Sequence, residues 1–142
     1  MAMKDKLPDG TVRPARPASF DPREVFVDLA PDGWAKTLPV DADFWLALME
    51  GRLVLAGRLL SAFALERDID HWECHPAGEE ILMMVSGEVE VLLEMDGGVG
   101  RVPLAAGRML IVPSGIWHSF DVIRPGMLLA ITAGEGTDHR KR

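Results

Sequence analysis

Short apolar segments separated by glycine and proline dominate the chain from about residue 23 onward. Within many of these segments apolar and polar side chains alternate with a period of two, as they do in half-buried β-strands. The pattern predicts ten strands, over residues 24–29, 35–38, 58–66, 70–75, 81–86, 89–94, 101–104, 109–112, 117–123 and 127–133. Many short strands between turn residues at this spacing indicate an all-β sandwich or barrel.

One segment follows a helical period instead. Residues 44–49 contain large apolar side chains at helical spacing, with Asp41 before them and Gly51 after them. Aspartate is a favourable N-cap residue, and glycine commonly ends a helix. We therefore predict one short helix that is capped by Asp41 and packs its Phe, Trp and Met side chains on the barrel.

The two ends of the chain contain residues that interrupt regular structure. Four prolines lie within residues 1–22, and each of them fixes φ and removes a backbone donor. The last residues are polar and follow a glycine-rich stretch. We predict a partly ordered, irregular arm over residues 1–22, a barrel over residues 23–136 and a frayed tail over residues 137–142. In the alternative for the tail, His139 closes the mouth of the barrel.

Composition and charge narrow the class of protein. A chain of 142 residues is long enough for one domain with a real core. Its net charge of −7 does not favour nucleic acid or anionic membranes as partners. No apolar run approaches the ~20 residues that span a bilayer, and no apolar segment follows the first lysines as in a secretory signal. The single cysteine, Cys74, favours a reducing, cytoplasmic setting.

Two segments carry the residues that point to chemistry. The first reads ECHPAGEE over residues 73–80, and the second reads G-x5-P-x-G-x2-H over residues 107–118. Each is predicted to be strand, turn and strand. Alternation then predicts which side chains share the interior face. The predicted interior set is His71, Glu73, His75, Glu80, Leu82, Met84, His118, Phe120 and Val122.

This interior set predicts a ligand pocket with a metal site. Apolar walls around a few polar groups are the usual composition of a small-molecule pocket. Two carboxylates buried without partners are costly to ionise, and a divalent cation balances both charges. Two imidazoles and two carboxylates form a donor set suited to a first-row transition metal.

The same residues resemble the two sequence motifs of the cupin family. The first family motif is G-x5-H-x-H-x(3,4)-E-x6-G, and its latter part is matched by His75, Glu80 and Gly87. The second is G-x5-P-x-G-x2-H-x3-N, matched by Gly107, Pro113, Gly115 and His118. The resemblance implies a double-stranded β-helix, the jelly-roll barrel of cupins. It also implies metal ligands at Glu73, His75, Glu80 and His118, and a homodimer, because cupins commonly pair.

The chain departs from the family pattern at three positions. Glu73 replaces the first histidine, Arg67 replaces the first glycine, and Val122 replaces the terminal asparagine. The added oxygen donor favours Mn, Fe or Zn, with Ni as a further option. Two alternatives stay open. His71 replaces Glu73 as the ligand, or the site binds no metal and uses its polar groups to bind an organic ligand.

The fold does not select one activity, because cupins include oxygenases, isomerases, decarboxylases, sugar-binding modules and regulators. The chain shows no nucleophile–base pair and no phosphate loop, so any catalysis would depend on the metal. We carry two hypotheses, which leave open whether the protein is an enzyme. One is a metal-dependent oxygenase or isomerase acting on a small organic molecule. The other is a non-catalytic module that binds or senses such a ligand. The outer tryptophans, Trp72 and Trp117, are the candidate dimer interface.

Overall fold

The computed structural model describes residues 17–142, so most of the predicted arm lies outside the described residues. Residues 17–22 contain neither helix nor strand. The described chain is mostly strand with a single short helix, which confirms the all-β fold. The elements are β1 (Val25–Leu29), β2 (Ala35–Pro39), α1 (Phe44–Met49), β3 (Arg58–Leu65), β4 (His71–Cys74), β5 (Glu80–Met95), β6 (Gly98–Ala105), β7 (Met109–Val112), β8 (His118–Thr132) and β9 (Asp138–Lys141).

All nine strands join one antiparallel sheet. Six of them follow the order β2-β1-β3-β8-β4-β9, and β5 branches from β8. β5 pairs with β7 through its first residues, with β6 through its second half, and with β8 over most of its length. The sheet therefore folds over itself and encloses the alternate side chains of β5. Leu82, Met84, Val89 and Val91 are at most 1% exposed and form the centre of the barrel core.

The two longest strands each replace two strands that the sequence predicted separately. β5 runs through Gly87, where φ is +73° and the register with β8 shifts. A bulge of this kind bends a strand without ending its pairing. Opposite the bulge, a Cβ on Gly126 would lie 2.0 Å from the Ser86 carbonyl oxygen. Glycine therefore allows the two backbones to touch where the long strands cross.

The helix forms as predicted, but its capping and packing differ. Asp41 accepts a bond from the Asp43 amide at 3.0 Å in the preceding turn, and Asp43 occupies the N-cap position. Phe44 is buried against Phe26, with their rings edge to face at 5.2 Å. Met49 is 81% exposed, so the prediction that it packs on the barrel was wrong. With only six residues, the helix buries one side chain in a small second core.

The predicted frayed tail was also wrong. Residues 138–141 form β9, which pairs with all four residues of β4. Arg142 continues this attachment, because its amide donates to the Asp70 carbonyl and its guanidinium to the Asp121 carboxylate at 2.5 Å. Backbone pairing and ion pairs hold this segment. Neither requires apolar side chains, so the sequence shows no apolar period there.

Within residues 17–142, no helix combines the length and the apolar character needed to cross a bilayer.

Candidate metal centre

Three neighbouring strands place chemically active side chains in one row. On β4, Glu73 is paired with His118 of β8 on one side and with His139 of β9 on the other. Directly paired residues of adjacent antiparallel strands project on the same side of the sheet. His75 follows β4 by one residue, and Glu80 begins β5. The topology therefore brings both sequence segments to one end of the barrel interior.

The inner part of the site consists of two imidazoles around one carboxylate. The Oε1 atom of Glu80 lies 3.0 Å from Nε2 of His118, and its Oε2 atom lies 3.1 Å from Nε2 of His75. All three residues are at most 5% exposed. Thr132 donates a hydrogen bond of 2.5 Å to Oε2 of Glu80 and holds this carboxylate in place.

A backbone carbonyl fixes the orientation of His118. Its Nδ1 atom lies 3.1 Å from the carbonyl oxygen of Ile116. A carbonyl can only accept, so Nδ1 carries the hydrogen and donates it. In the neutral ring the lone pair is then on Nε2, which is the atom that faces Glu80.

A hydroxyl fixes His75 in the same way. Its Nδ1 atom lies 2.8 Å from Oγ1 of Thr137, and that hydroxyl donates its one hydrogen to the Gly134 carbonyl at 2.8 Å. Thr137 must therefore accept from His75, and the lone pair of the neutral ring is again on Nε2. This second contact that orients the ring is typical of metal-ligating histidines.

Both inner Nε2 atoms are buried and lack a hydrogen-bond partner within the described residues. They lie 3.0 and 3.1 Å from the carboxylate oxygens of Glu80, so each faces an oxygen at short distance. Two ligand atoms about 2.0–2.1 Å from one metal, at angles near 90–110°, lie about 2.8–3.4 Å apart. The distances of 3.0 and 3.1 Å fall in this range, but they run to different oxygens of Glu80, so a cation bound through both contacts would use both oxygens of this carboxylate.

The charges of the metal-free site support the same interpretation. Burial alone would raise the pKa of Glu80, but His118 and His75 outweigh it and hold this pKa at about 2. Burial alone would lower the pKa of His118, but the Glu80 carboxylate more than compensates and raises it. The carboxylate is therefore ionised and favours positive charge on Nε2 of His118, either as a proton or as a metal ion.

Glu73 stands between the inner pair and a second pair of histidines. Its Oε2 atom lies 3.8 Å from Nε2 of His75, while its Oε1 atom lies 3.2 Å from Nε2 of both His71 and His139. A ligand atom of Glu73, His75 and His118 lies within 4.8 Å of the others, and the same holds for His71, Glu73 and His139. Glu73 therefore approaches the inner pair, whereas His71 contacts Glu73 and is grouped with His139 and not with His75 and His118. The metal-ligand role of each stays a prediction.

The predicted pocket residues line the interior but pack with one another. Leu82, Met84 and Phe120 belong to the main core and are at most 7% exposed, with Val122 half-buried against them. Their role as ligand contacts stays a prediction. Sequence reasoning missed Thr132 and Thr137. Alternation through Leu128 and Ala130 would have placed Thr132 inward, whereas Thr137 had no such signal.

Comparison with known proteins identifies the fold family. The family model described as "Cupin domain" matches residues 66–133, which contain all four predicted inner ligands. Residues 66–133 form a cupin domain. No curated protein sequence matches this cupin.

Solved structures similar to this cupin share its fold at low sequence identity. The Streptomyces protein PAC13 with uridine is 17% identical with a TM-score of 0.52, and the match covers 63% of this chain and 72% of that one. A cupin superfamily protein from Desulfitobacterium hafniense is 18% identical with a TM-score of 0.48, covering 56% and 70%. Hydroquinone 1,2-dioxygenase PnpCD, solved with Cd2+ and 4-hydroxybenzonitrile, is 23% identical with a TM-score of 0.46, covering 56% and 60%. The cupin thus spans less than two thirds of the dioxygenase chain.

Proposed function

We propose that this cupin binds one divalent first-row metal ion through His75, Glu80 and His118, with Glu73 as a fourth ligand, and acts there on a small organic molecule. The observation that carries the proposal is the pair of buried Nε2 atoms without hydrogen-bond partners on either side of an ionised carboxylate. Without a metal or a proton, the lone pairs of both ring nitrogens would face the carboxylate oxygens of Glu80.

The donor set favours Mn, Fe or Zn. It combines two imidazole nitrogens with carboxylate oxygens, and none of the inner ligands is a sulfur. Two histidines and one carboxylate are also the ligands of non-haem Fe(II) oxygenases, which keep open positions for substrate. A metal in this site supplies Lewis-acid chemistry. The protein supplies rigid orientation of its ligands through Thr137, Thr132 and the Ile116 carbonyl.

A non-catalytic binding module is the second candidate function. It is favoured by the position of His71, the one further acid–base group that the sequence suggested, which Asp70 and Glu73 hold at the mouth. The cytoplasmic setting stays a prediction in both cases.

The metal site is tested by the metal content and titration of matched variants. Glu80→Gln keeps the shape of the side chain and removes its charge, and Glu79→Gln makes the same change one residue earlier, where the side chain is exposed. Protein from metal-supplemented medium is measured by elemental analysis, and folding is checked by circular dichroism. We expect stoichiometric metal in wild type and Glu79→Gln, and its loss in Glu80→Gln and His118→Ala. Folded wild type that neither carries nor takes up metal would overturn the proposal.

Ligand binding and catalysis are separated in a second step. The metal-loaded protein is screened against small polar organic compounds by thermal shift, and compounds that stabilise it are then incubated and analysed by mass spectrometry. Turnover that depends on Glu80 supports an enzyme. Stabilisation without turnover supports the binding module.

The outer sheet face suggests where the predicted homodimer would form. Trp72 and Trp117 are covered by Arg140, whose guanidinium carbon lies 5.6 and 4.5 Å from their ring centroids, so we do not place the interface there. Two apolar rows instead cross β3, β8, β5 and β7, where Met109 and Ile111 are 62% and 54% exposed. The rows are Leu60–Ile131–Ile81–Ile111 and Leu129–Met83–Met109. Such contiguous apolar patches mark interaction surfaces.

Sedimentation velocity tests this interface. Met109→Lys with Ile111→Lys should convert a dimer to a monomer, whereas Val99→Lys, at an exposed apolar position on β6, should not. A wild-type protein that stays monomeric at high concentration would remove the dimer from the proposal.

A further inference from the structure

A second group of metal-binding side chains lies outside the inner site. On β4, His71 and Glu73 are two residues apart and share a face, and His139 of β9 is paired directly with Glu73. Nε2 of His71 and Nε2 of His139 each lie 3.2 Å from the same carboxylate oxygen, Oε1 of Glu73. One ligand atom from each of the three residues lies within 4.8 Å of the others.

The two distances to Oε1 of Glu73 match those expected between ligands of one cation. Nitrogen and oxygen ligands about 2.0–2.2 Å from a metal lie about 3.0–3.4 Å apart at ordinary coordination angles. Both 3.2 Å distances fall in this range. The trio is also accessible from solvent, since the side chains of His71, Glu73 and His139 are 37%, 33% and 55% exposed. A hydrated cation can therefore reach them without any change in the barrel.

His71 is oriented as a metal ligand would be. Its Nδ1 atom lies 3.0 Å from the Asp70 carboxylate, and its Nε2 atom lies 3.2 Å from Oε1 of Glu73. A carboxylate that accepts from one ring nitrogen fixes the tautomer and leaves the other nitrogen for a metal. Asp70 thus orients His71 in the outer group, as Thr137 orients His75 in the inner site.

The two oxygens of Glu73 face different groups. Oε1 faces the outer histidines, while Oε2 faces His75 of the inner site at 3.8 Å. We propose that His71, Glu73 and His139 bind a second divalent cation at the mouth of the barrel, and that the Glu73 carboxylate bridges it to the inner metal. The bridge rests on the proposed function, whereas His71 and His139 are ligands of the outer site alone.

Local charge makes two cations compatible at this end of the barrel. The carboxylates of Asp70, Glu73 and Glu80 supply three negative charges, and the whole chain has a net charge of −7. Water screens the outer site, because its ligands are partly exposed, and screening weakens both repulsion and binding there. We therefore expect the outer cation to bind more weakly than the inner one.

Calorimetric titration of the metal-free full-length protein with Co2+ tests the number of sites. Wild type should bind two ions per chain in two resolved steps. His71→Ala and His139→Ala should each keep the tight step and lose the weak one, while His118→Ala should lose the tight step. Lys141→Gln is the matched control, because Lys141 is an exposed residue of β9, the strand of His139, and is paired with His71. This variant should bind two ions. Circular dichroism verifies that each variant folds.

Electron paramagnetic resonance with Mn2+ tests the bridge. Two Mn2+ ions joined by a carboxylate couple magnetically, so the wild-type spectrum should differ from that of His139→Ala, which holds one isolated ion. A single binding step in wild type, unchanged in His71→Ala and His139→Ala, would overturn the outer site and leave the inner site standing. Two steps that survive both variants would place the second cation elsewhere and overturn the inference. Absence of both steps would overturn the proposed function itself.

Discussion

The sharpest test of the inner site is a change at Thr137, which touches no metal. Thr137→Val keeps the shape of the side chain but removes the acceptor of the His75 Nδ1–H bond at 2.8 Å. That donor is buried, because the side chain of His75 is only 6% exposed. With its acceptor removed, the ring is free to adopt the tautomer that carries the proton on Nε2, where the metal must bind.

Two magnitudes follow from this contact. Leaving a buried donor without a partner costs about 1–3 kcal/mol, so the metal-free variant should be destabilised by that amount. At about 2–4 °C per kcal/mol for a chain near this size, the melting temperature should fall by about 2–12 °C. Loss of the group that orients a ligating histidine typically weakens metal binding about 10–100-fold, or about 1.4–2.7 kcal/mol.

Thermal denaturation without metal and calorimetric titration with Zn2+ measure the two effects separately. Thr137→Ser keeps the hydroxyl, so it should stay close to wild type in both measurements. If Thr137→Val binds Zn2+ as tightly as wild type, the tautomer reasoning is refuted, even where the variant is less stable. An equal loss of affinity in Thr137→Ser would refute it too, because packing rather than hydrogen bonding would then be responsible.

Three further predictions concern pH, the strand crossing and the last strand. Metal affinity should fall as pH is lowered. The Glu80 carboxylate raises the pKa of His118 above its usual value of 6.5, so a proton competes with the metal for Nε2 of His118. Metal titrations from pH 8 to pH 5.5 that show no trend would contradict this prediction. Gly126→Ala should destabilise the protein by about 1–3 kcal/mol or more in urea, because its Cβ would lie 2.0 Å from the Ser86 carbonyl oxygen, whereas Gly100→Ala, with its nearest atom at 3.8 Å, should be mild. Arg140→Ala should change tryptophan fluorescence and cost about 0.5–2 kcal/mol, because it removes a cation from two indole rings; an unchanged spectrum would contradict the stacking.

The sequence predicted best where local period and motif spacing agree. Alternation along β4 correctly placed His71 and Glu73 on one face, as their shared contact shows. Alternation along β5 correctly buried Glu80 with Leu82 and Met84. These results depend only on neighbours along the chain, since side chains two residues apart in a strand point the same way. Convergence of β4, β5 and β8 came from the cupin resemblance, because no local pattern specifies which strands pair.

The sequence failed where tertiary pairing outweighs local signals. Residues 138–141 are all exposed and polar, and they form a strand because β4 has a free edge and Arg142 is held by Asp121. The glycine at position 87 suggested the end of a strand, yet the bulge there keeps β5 paired on both sides. In both cases backbone pairing extends beyond the predicted strands, into segments that have no apolar face.

The short last strand explains why the site and the fold are difficult to separate in this cupin. β9 covers the edge of β4, and the segment that leads into it supplies Thr137, while the strand itself supplies His139. An unpaired edge is a surface for aggregation, so covering it has a structural purpose of its own. The same pairing places the Thr137 hydroxyl on His75 and the His139 imidazole on Glu73. A segment predicted to be a frayed tail therefore supplies a ligand of the outer group through His139 and orients an inner histidine through Thr137.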